Sequence, residues 1–476
     1  MNARRSIAAW LPVVLAACSA VGPDYEAPAA KVPDGWRDPQ GPVLVAQPVD
    51  LASWWRQLED PVLDGLIERV AQGLDVREAL ARLRESRALR GIAASERYPT
   101  LDGRAAFEER NESENTAFGG FPADFDQYSA GFDAAWELDL WGRVRRSVEA
   151  ADADLAASLE DARNVAVSVT AETAARYIEL RAFQRRIEIA HTNVTLQEET
   201  LALVQARFEA GLVGERDVAQ ASTIVESTRS RVPAFEAGLR AAENRLAVLL
   251  GLTPGALAAE LSEPRPVPVP PAAVAVGVPA DLLRRRADVR RAERELAAET
   301  ARIGVAEADL YPRLVLLGSI GVAASNASEL VDDGSGVLGI GPSLRWNLFD
   351  GGARHRAVEA QDARAEQALV RWERAVLLAL EETENGMTAF AREQARRTSL
   401  LEAATQARRA VELAQTEYTE GLSDFSAVLD SQRALAVLED ELAQSDAAIA
   451  TNLIALYKAL GGGWESATDL AALGTQ

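Results

Sequence analysis

The sequence contains the same unit twice. Trp136, Leu138, Gly142, Arg146, Glu149 and Asp152 return 210 residues later as Trp346, Leu348, Gly352, Arg356, Glu359 and Asp362. The same offset carries Phe208-x-x-Gly211-Leu212 onto Tyr418-x-x-Gly421-Leu422, and Leu250-Gly251 onto Leu460-Gly461. Upstream, Asp75-Val76-Arg77 and Tyr98-Pro99 match Asp288-Val289-Arg290 and Tyr311-Pro312 at an offset of 213. Three extra residues of the first copy therefore lie between Tyr98 and Trp136. A duplicated unit builds the same elements twice, and each copy reads as helix, hairpin, long helix, helix.

Between Gly142 and Phe208 there is no Pro or Gly, and Leu159, Ala166, Thr173, Leu180, Ile187, Val194, Leu201 and Phe208 fall seven apart. Ala162, Val169, Phe183, Ala190 and Val204 sit three positions on. This a/d seam predicts a left-handed supercoil. At about 1.5 Å per residue, about 66 residues make a rod of roughly 100 Å. The next helix carries Val218, Val225, Val232, Leu239 and Leu246 at the same spacing, and its duplicate carries Val428, Leu435, Leu442, Ile449 and Leu456. Pro233 is expected to kink or unwind the first of these. Between the copies, Pro254 to Pro279 reads as a linker or irregular belt.

The hairpins alternate with period two. Tyr128, Ala130, Phe132, Ala134, Trp136 and Leu138 share one face, and Ser129, Gly131, Asp133, Ala135 and Glu137 the other. The second copy sets Leu338, Ile340, Pro342, Leu344, Trp346 and Leu348 against Gly339, Gly341, Ser343, Arg345 and Asn347. Partner strands read near Leu101 to Glu109 and Leu314 to Val322. This is the length and pattern of transmembrane strands, where a charge on the lipid face costs about 2 to 4 kcal/mol. Asp133, Glu137 and Arg345 then point to the lumen. A half-buried sheet packed on the helices would alternate in the same way. Pro342 removes a ladder bond, so a bulge is expected there. Four strands cannot close a barrel, for which about eight is the minimum; the chain must oligomerise to remove its edges.

No mature window is long and apolar enough for a spanning helix. Residues 1–17 open with Arg4 and Arg5, continue through the uncharged run Ile7 to Ala17, and read as a secretory signal. Leu15-Ala16-Ala17-Cys18 looks like a bacterial lipobox, which would make Cys18 the acylated mature N-terminus; otherwise Cys18 is a small residue near a standard cleavage site. The formal charge of −22 argues against a nucleic-acid partner. One Cys and two His are too few for a metal site, so no metal and no cofactor beyond acyl groups on Cys18 is expected. His191 and His355 read as helix-surface or seam residues, and no nucleophile elbow, P-loop or dinucleotide fingerprint is present, so an enzyme is not expected.

Together the residues resemble the outer-membrane factor family of TolC-like outer-membrane efflux proteins, in its lipoprotein branch that works with RND pumps. The resemblance rests on Cys18 with Val21-Gly22-Pro23-Asp24-Tyr25-x-x-Pro28, Trp54-Trp55, Asp281-Leu282-Leu283-Arg284-Arg285-Arg286-x-Asp288-Val289, Gly341-Pro342-Ser343-Leu344-x-Trp346 and Phe349-Asp350-Gly351-Gly352. Ala287 departs from the family's usual Pro. The implied fold is mostly α with a membrane β-barrel: a homotrimer whose 12-stranded barrel continues into a long coiled-coil α-helical barrel. Implied boundaries are a signal peptide at 1–17 and a lipid-anchored extended segment at 18–61. The helical barrel takes 62–97, 143–250, 281–310 and 353–460, the hairpins 98–141 and 311–350, and an equatorial linker and tail 251–280 and 461–476. The implied function is a passive exit duct in the outer membrane, reaching into the periplasm and docked to a periplasmic adaptor and an inner-membrane RND transporter. By the same resemblance Gly211, Leu212, Gly421 and Leu422 form adaptor-docking turns. Asp430 would constrict the pore at the periplasmic tip, with Asp217 and Asp424 as secondary candidates; Ala427 stands where some members carry a further Asp. Asp430 alone would otherwise be a solvated acid near a helix N-terminus. Antibiotics, dyes, metal ions and lipids all fit as cargo. A lipid-anchored coiled-coil scaffold without a pore and a duct for protein secretion stay open as alternatives.

Overall fold

A computed structural model describes residues 20–37, 44–45, 51–110, 125–270 and 274–463. The expected signal segment, Cys18 and the tail beyond Gly463 lie outside the described residues. In chain order the main elements of the first copy are α1 (Pro61–Arg69), α2 (Leu74–Ser95), β1 (Thr100–Arg110), β2 (Phe125–Leu138), α3 (Arg143–Glu209), α4 (Glu215–Arg229) and α5 (Arg231–Leu249). Those of the second are α6 (Pro279–Arg285), α7 (Ala287–Ala308), β3 (Arg313–Ala324), β4 (Gly336–Arg345), α8 (Ala353–Glu420) and α9 (Phe425–Ala459). The chain divides into two compact units, one of residues 1–29, 84–158 and 292–372, the other of 30–83, 159–291 and 373–476.

In the first unit the strands form one antiparallel sheet in the order β1-β2-β3-β4. The offset is 213 on the first strand of each hairpin and 210 on the second, so the three extra residues of the first copy lie in sequence between Arg110 and Phe125. The expected bulge at Pro342 is absent: the register of β4 on β3 runs unbroken through Leu316 and Pro342. β4 is an edge strand of the sheet within one chain, and an edge strand tolerates a proline without a bulge. The strand also ends at Arg345, so Trp346 and Leu348 lie past it rather than on its apolar face.

In the second unit the helix pairs turn at repeat-related glycines. Gly211 and Gly421 have φ of 72° and 75°. Leu212 N–H donates to the Arg207 carbonyl at 2.9 Å, and Leu422 N–H to that of Glu417 at 2.8 Å. This is the six-to-one bond of a Schellman stop, which needs a left-handed residue. Pro233 has an internal control. It sits three residues beyond Ser230, where α4 gives way to α5, whereas its counterpart Ala443 lies within the unbroken α9.

Midway along α3 burial is wider than an a/d seam, taking in Thr170, Ala171, Ala174, Tyr177, Ile178, Arg181 and Ala182. The belt segments cover it. Tyr177 Oη donates to Asp60 Oδ2 at 2.6 Å, Arg181 Nη1 to the Glu263 carbonyl at 2.8 Å, and Gln184 Nε2 to the Leu261 carbonyl at 2.8 Å. Asp60 also caps α1 through the Val62 and Leu63 N–H groups, which fixes that helix at its N-terminus. Trp54 stacks on Tyr457 at 5.6 Å, so the Trp54-Trp55 pair is core.

Candidate functional site

The sheet register sorts side chains onto two faces. One carries Leu101, Gly103, Ala105 and Phe107 of β1, Tyr128 to Leu138 at even positions of β2, Leu314 to Ala324 at even positions of β3, and Gly336 to Leu344 at even positions of β4. It has no charge until Glu109 and Asp126, which pair in register at the loop end. Phe132, Ile320, Leu338 and Ile340 are exposed on it. The ten steps from Tyr128 to Leu138, at about 3.4 Å each and tilted by about 40°, span roughly 25 Å, the apolar height of an outer-membrane barrel.

The opposite face carries Asp102, Arg104, Glu108, Asp133, Glu137, Arg313 and Arg345. Asp133 pairs in register with Asp102 and is met by Arg104 Nη1 at 3.4 Å. Glu137 forms a two-pronged ion pair with Arg143 at 2.9 and 3.0 Å. Arg345 lies in register with Arg313, which is drawn to Asp309. Arg104 was not singled out in the sequence because nothing local marks a cross-strand pair, and Arg143 because its reach back from the start of α3 to Glu137 depends on the strand-to-helix turn. Near the helical end, Trp136 Nε1 donates to the Arg97 carbonyl at 3.0 Å and Trp346 Nε1 to that of Leu310 at 3.2 Å. Amphipathic rings collect at such a boundary.

At the α3–α4 and α8–α9 turns, Leu212 and Leu422 are 71% and 74% exposed. Behind them Val204, Ala221, Ile224, Tyr418, Phe425, Val428 and Leu429 pack into one core. Arg207, at the end of α3, donates to the Tyr418 and Thr419 carbonyls at 2.7 and 2.6 Å and lies over the Tyr418 ring. The signal for Arg207 was a break in the repeat, since its counterpart is Glu417. Asp430 projects from the second turn of α9 with 77% of its side chain exposed and Arg433 at 3.8 Å. Asp424 stands at the N-cap of α9 without a side-chain cap bond, and Asp217 lies in the first turn of α4, 3.6 Å from Arg216.

A duplicated, mostly helical chain carrying a membrane-height antiparallel sheet defines a class, the outer-membrane subunits that combine strands with long helices. The chain belongs to the outer membrane efflux protein family, whose profile matches residues 68–252 and again 278–462. It is 30% identical over 474 residues to nodulation protein T of Rhizobium leguminosarum bv. trifolii, covering 98% of each chain. It is 29% identical over 468 residues to the solvent efflux pump outer membrane protein SrpC of Pseudomonas putida, covering 97% of this chain and 98% of that one. Among solved structures, the outer-membrane channel OprN superposes with a TM-score of 0.88 at 37% identity over 94% of this chain and 99% of that one. The open-state MtrE channel of Neisseria gonorrhoeae superposes with 0.79 at 26% identity over 94% and 99%. The protein is an outer-membrane component of an efflux pump.

Proposed function

We propose that three copies join edge to edge into a 12-stranded barrel, and that the closed assembly is a passive exit duct for small toxic molecules. An inner-membrane RND transporter supplies the energy, and a periplasmic adaptor links it to the turns at Gly211, Leu212, Gly421 and Leu422. Acyl groups on Cys18 add a lipid anchor. No residue is assigned a catalytic role. One observation carries the reading: a sheet face free of charge over membrane height, bounded by β1 and β4, each of which pairs on one side only among the described residues. Open edges template pairing with another chain, and a barrel is the strand structure that satisfies its backbone in lipid. Averaged electron micrographs of the detergent-extracted protein, viewed down the long axis, should show a hollow threefold ring with a detergent belt at one end. Solid particles or dimers would overturn the duct.

Within this reading Asp430 forms the acidic constriction, joined by Asp217 and Asp424. Its exposure, with Arg433 no closer than 3.8 Å, leaves its charge available to the pore. Asp430→Ala should raise resting conductance severalfold in a planar bilayer; unchanged conductance would remove the residue from the gate.

A further inference from the structure

The N-terminal strap is held by residues that the internal repeat duplicates. Val21 N–H donates to the Trp141 carbonyl at 2.9 Å. Arg146, with a side chain only 5% exposed, donates from Nε to the Val21 carbonyl at 3.1 Å, and from Nη2 to the Gly22 carbonyl at 3.1 Å and Asp24 Oδ1 at 2.7 Å. Glu149 holds its remaining nitrogen, Nη1, at 2.8 Å. Glycines make the seat: a Cβ on Gly22 would lie 2.4 Å from the Gly304 Cα, and one on Gly142 would lie 2.4 Å from the Ala20 Cβ.

The repeat carries most of this seat over, with Gly351 standing where the first copy has Trp141. Gly142 with φ 86° becomes Gly352 with φ 89°, and Gly304 becomes Gly91. Arg146 and Glu149 become Arg356 and Glu359, again joined through Nη1. Within one chain the strap does not reach this second set. No atom lies within 4 Å of a Cβ built on Gly91 or Gly352. Arg356 is 79% exposed at its side chain, and its Nε and Nη2 meet no partner among the described residues.

The two halves of the second seat are on different helices. Ion pairs and hydrogen bonds set the order α2–α3–α7–α8: Arg90 to Asp152, Arg302 to Asp154, Gln361 to Glu299. Gly91 on α2 and Arg356 on α8 thus stand at opposite ends of one chain. Edge-to-edge closure, on which this inference rests, brings α8 of one copy beside α2 of the next, as it brings β4 beside β1. We propose that each such seam is a docking groove for an extended acidic segment of a partner protein. The segment presents two backbone carbonyls and then a carboxylate to Arg356, in the way Val21, Gly22 and Asp24 face Arg146. The strap itself is not the occupant, because each copy's strap already fills its own seat.

The probe is a fluorescent peptide of residues 20–28, titrated by anisotropy into detergent-solubilised full-length protein whose mass is followed by light scattering. Saturable binding of one peptide per chain is expected, weakened at least about tenfold by Arg356→Ala, the usual loss for hydrogen bonds to a charged group. Gly91→Gln, a helix-compatible side chain that fills the groove from the other copy, should weaken it similarly. So should replacing the peptide's aspartate with asparagine. A trimer that binds no peptide, or binds it equally well with Arg356→Ala, overturns the groove and leaves the duct standing. A monomeric wild type overturns both.

Discussion

Arg286 shows how one side chain fixes a junction. Its Nε and Nη2 hold both oxygens of Asp288 at 2.9 and 2.7 Å, and its Nη1 reaches Glu382 at 2.7 Å and the Ala459 carbonyl at 3.1 Å. It thus joins the start of α7, the middle of α8 and the end of α9. Burial pushes the Asp288 carboxyl up, but the hydrogen bonds and charge of Arg286 outweigh it, and the net shift is downward. A lowered carboxylate contributes stability that is complete above the unfolded value of about 3.9 and is lost as pH falls through the folded value. The stability difference between wild type and Asp288→Asn should therefore be constant above about pH 5 and shrink below about pH 4, as read by urea unfolding. A difference that persists at pH 2 would assign the effect to packing instead. Gly421 offers a second residue-scale test: its φ is 75° and open space surrounds it. Gly421→Ala should cost about 1 kcal/mol of backbone strain and speed amide exchange in the last turn of α8 about fivefold.

At the scale of the element, the sheet separates two kinds of neighbour. Ile320 and Ser319 are adjacent in β3 but face opposite sides. Ile320→Arg should cost about 2 to 4 kcal/mol against lipid and sharply lower the amount assembled in the outer membrane, whereas Ser319→Arg should assemble normally. Equal effects would mean that neither face meets lipid. These faces were legible in the sequence because a strand's period of two survives in any context, and the long helices were legible because heptads repeat. Burial midway along α3 was not, because the belt that covers it comes from Asp60, Leu261 and Glu263, distant in sequence. The unbroken path through Pro342 was hidden for a related reason: whether a strand is central or at an edge is decided by its neighbours. Of the polar face, Asp133, Glu137 and Arg345 could be placed by alternation, but the neighbouring Arg104 and Arg313 required the register, and Arg143 the turn from β2 into α3.

For the whole molecule, the two free edges make a direct test of closure possible. Ala105 on β1 and Leu338, Ile340 and Pro342 on β4 share the apolar face. A cysteine at Ala105 combined with one at each β4 position in turn should, on oxidation, give covalent dimers and trimers for at least one pair. Monomers throughout the series would mean that the edges do not meet. The order of the strands carries a separate consequence, for how the chain reaches this state. β2 ends at Leu138, and the strand it pairs with begins at Arg313, after α3, α4, α5 and the proline belt have passed. Pairings so distant in sequence form late, so the first hairpin must wait, with its apolar face uncovered, until the second copy has been made. A nascent chain of this kind depends on being shielded in transit, and a truncation after α5 should aggregate rather than fold as half a protein.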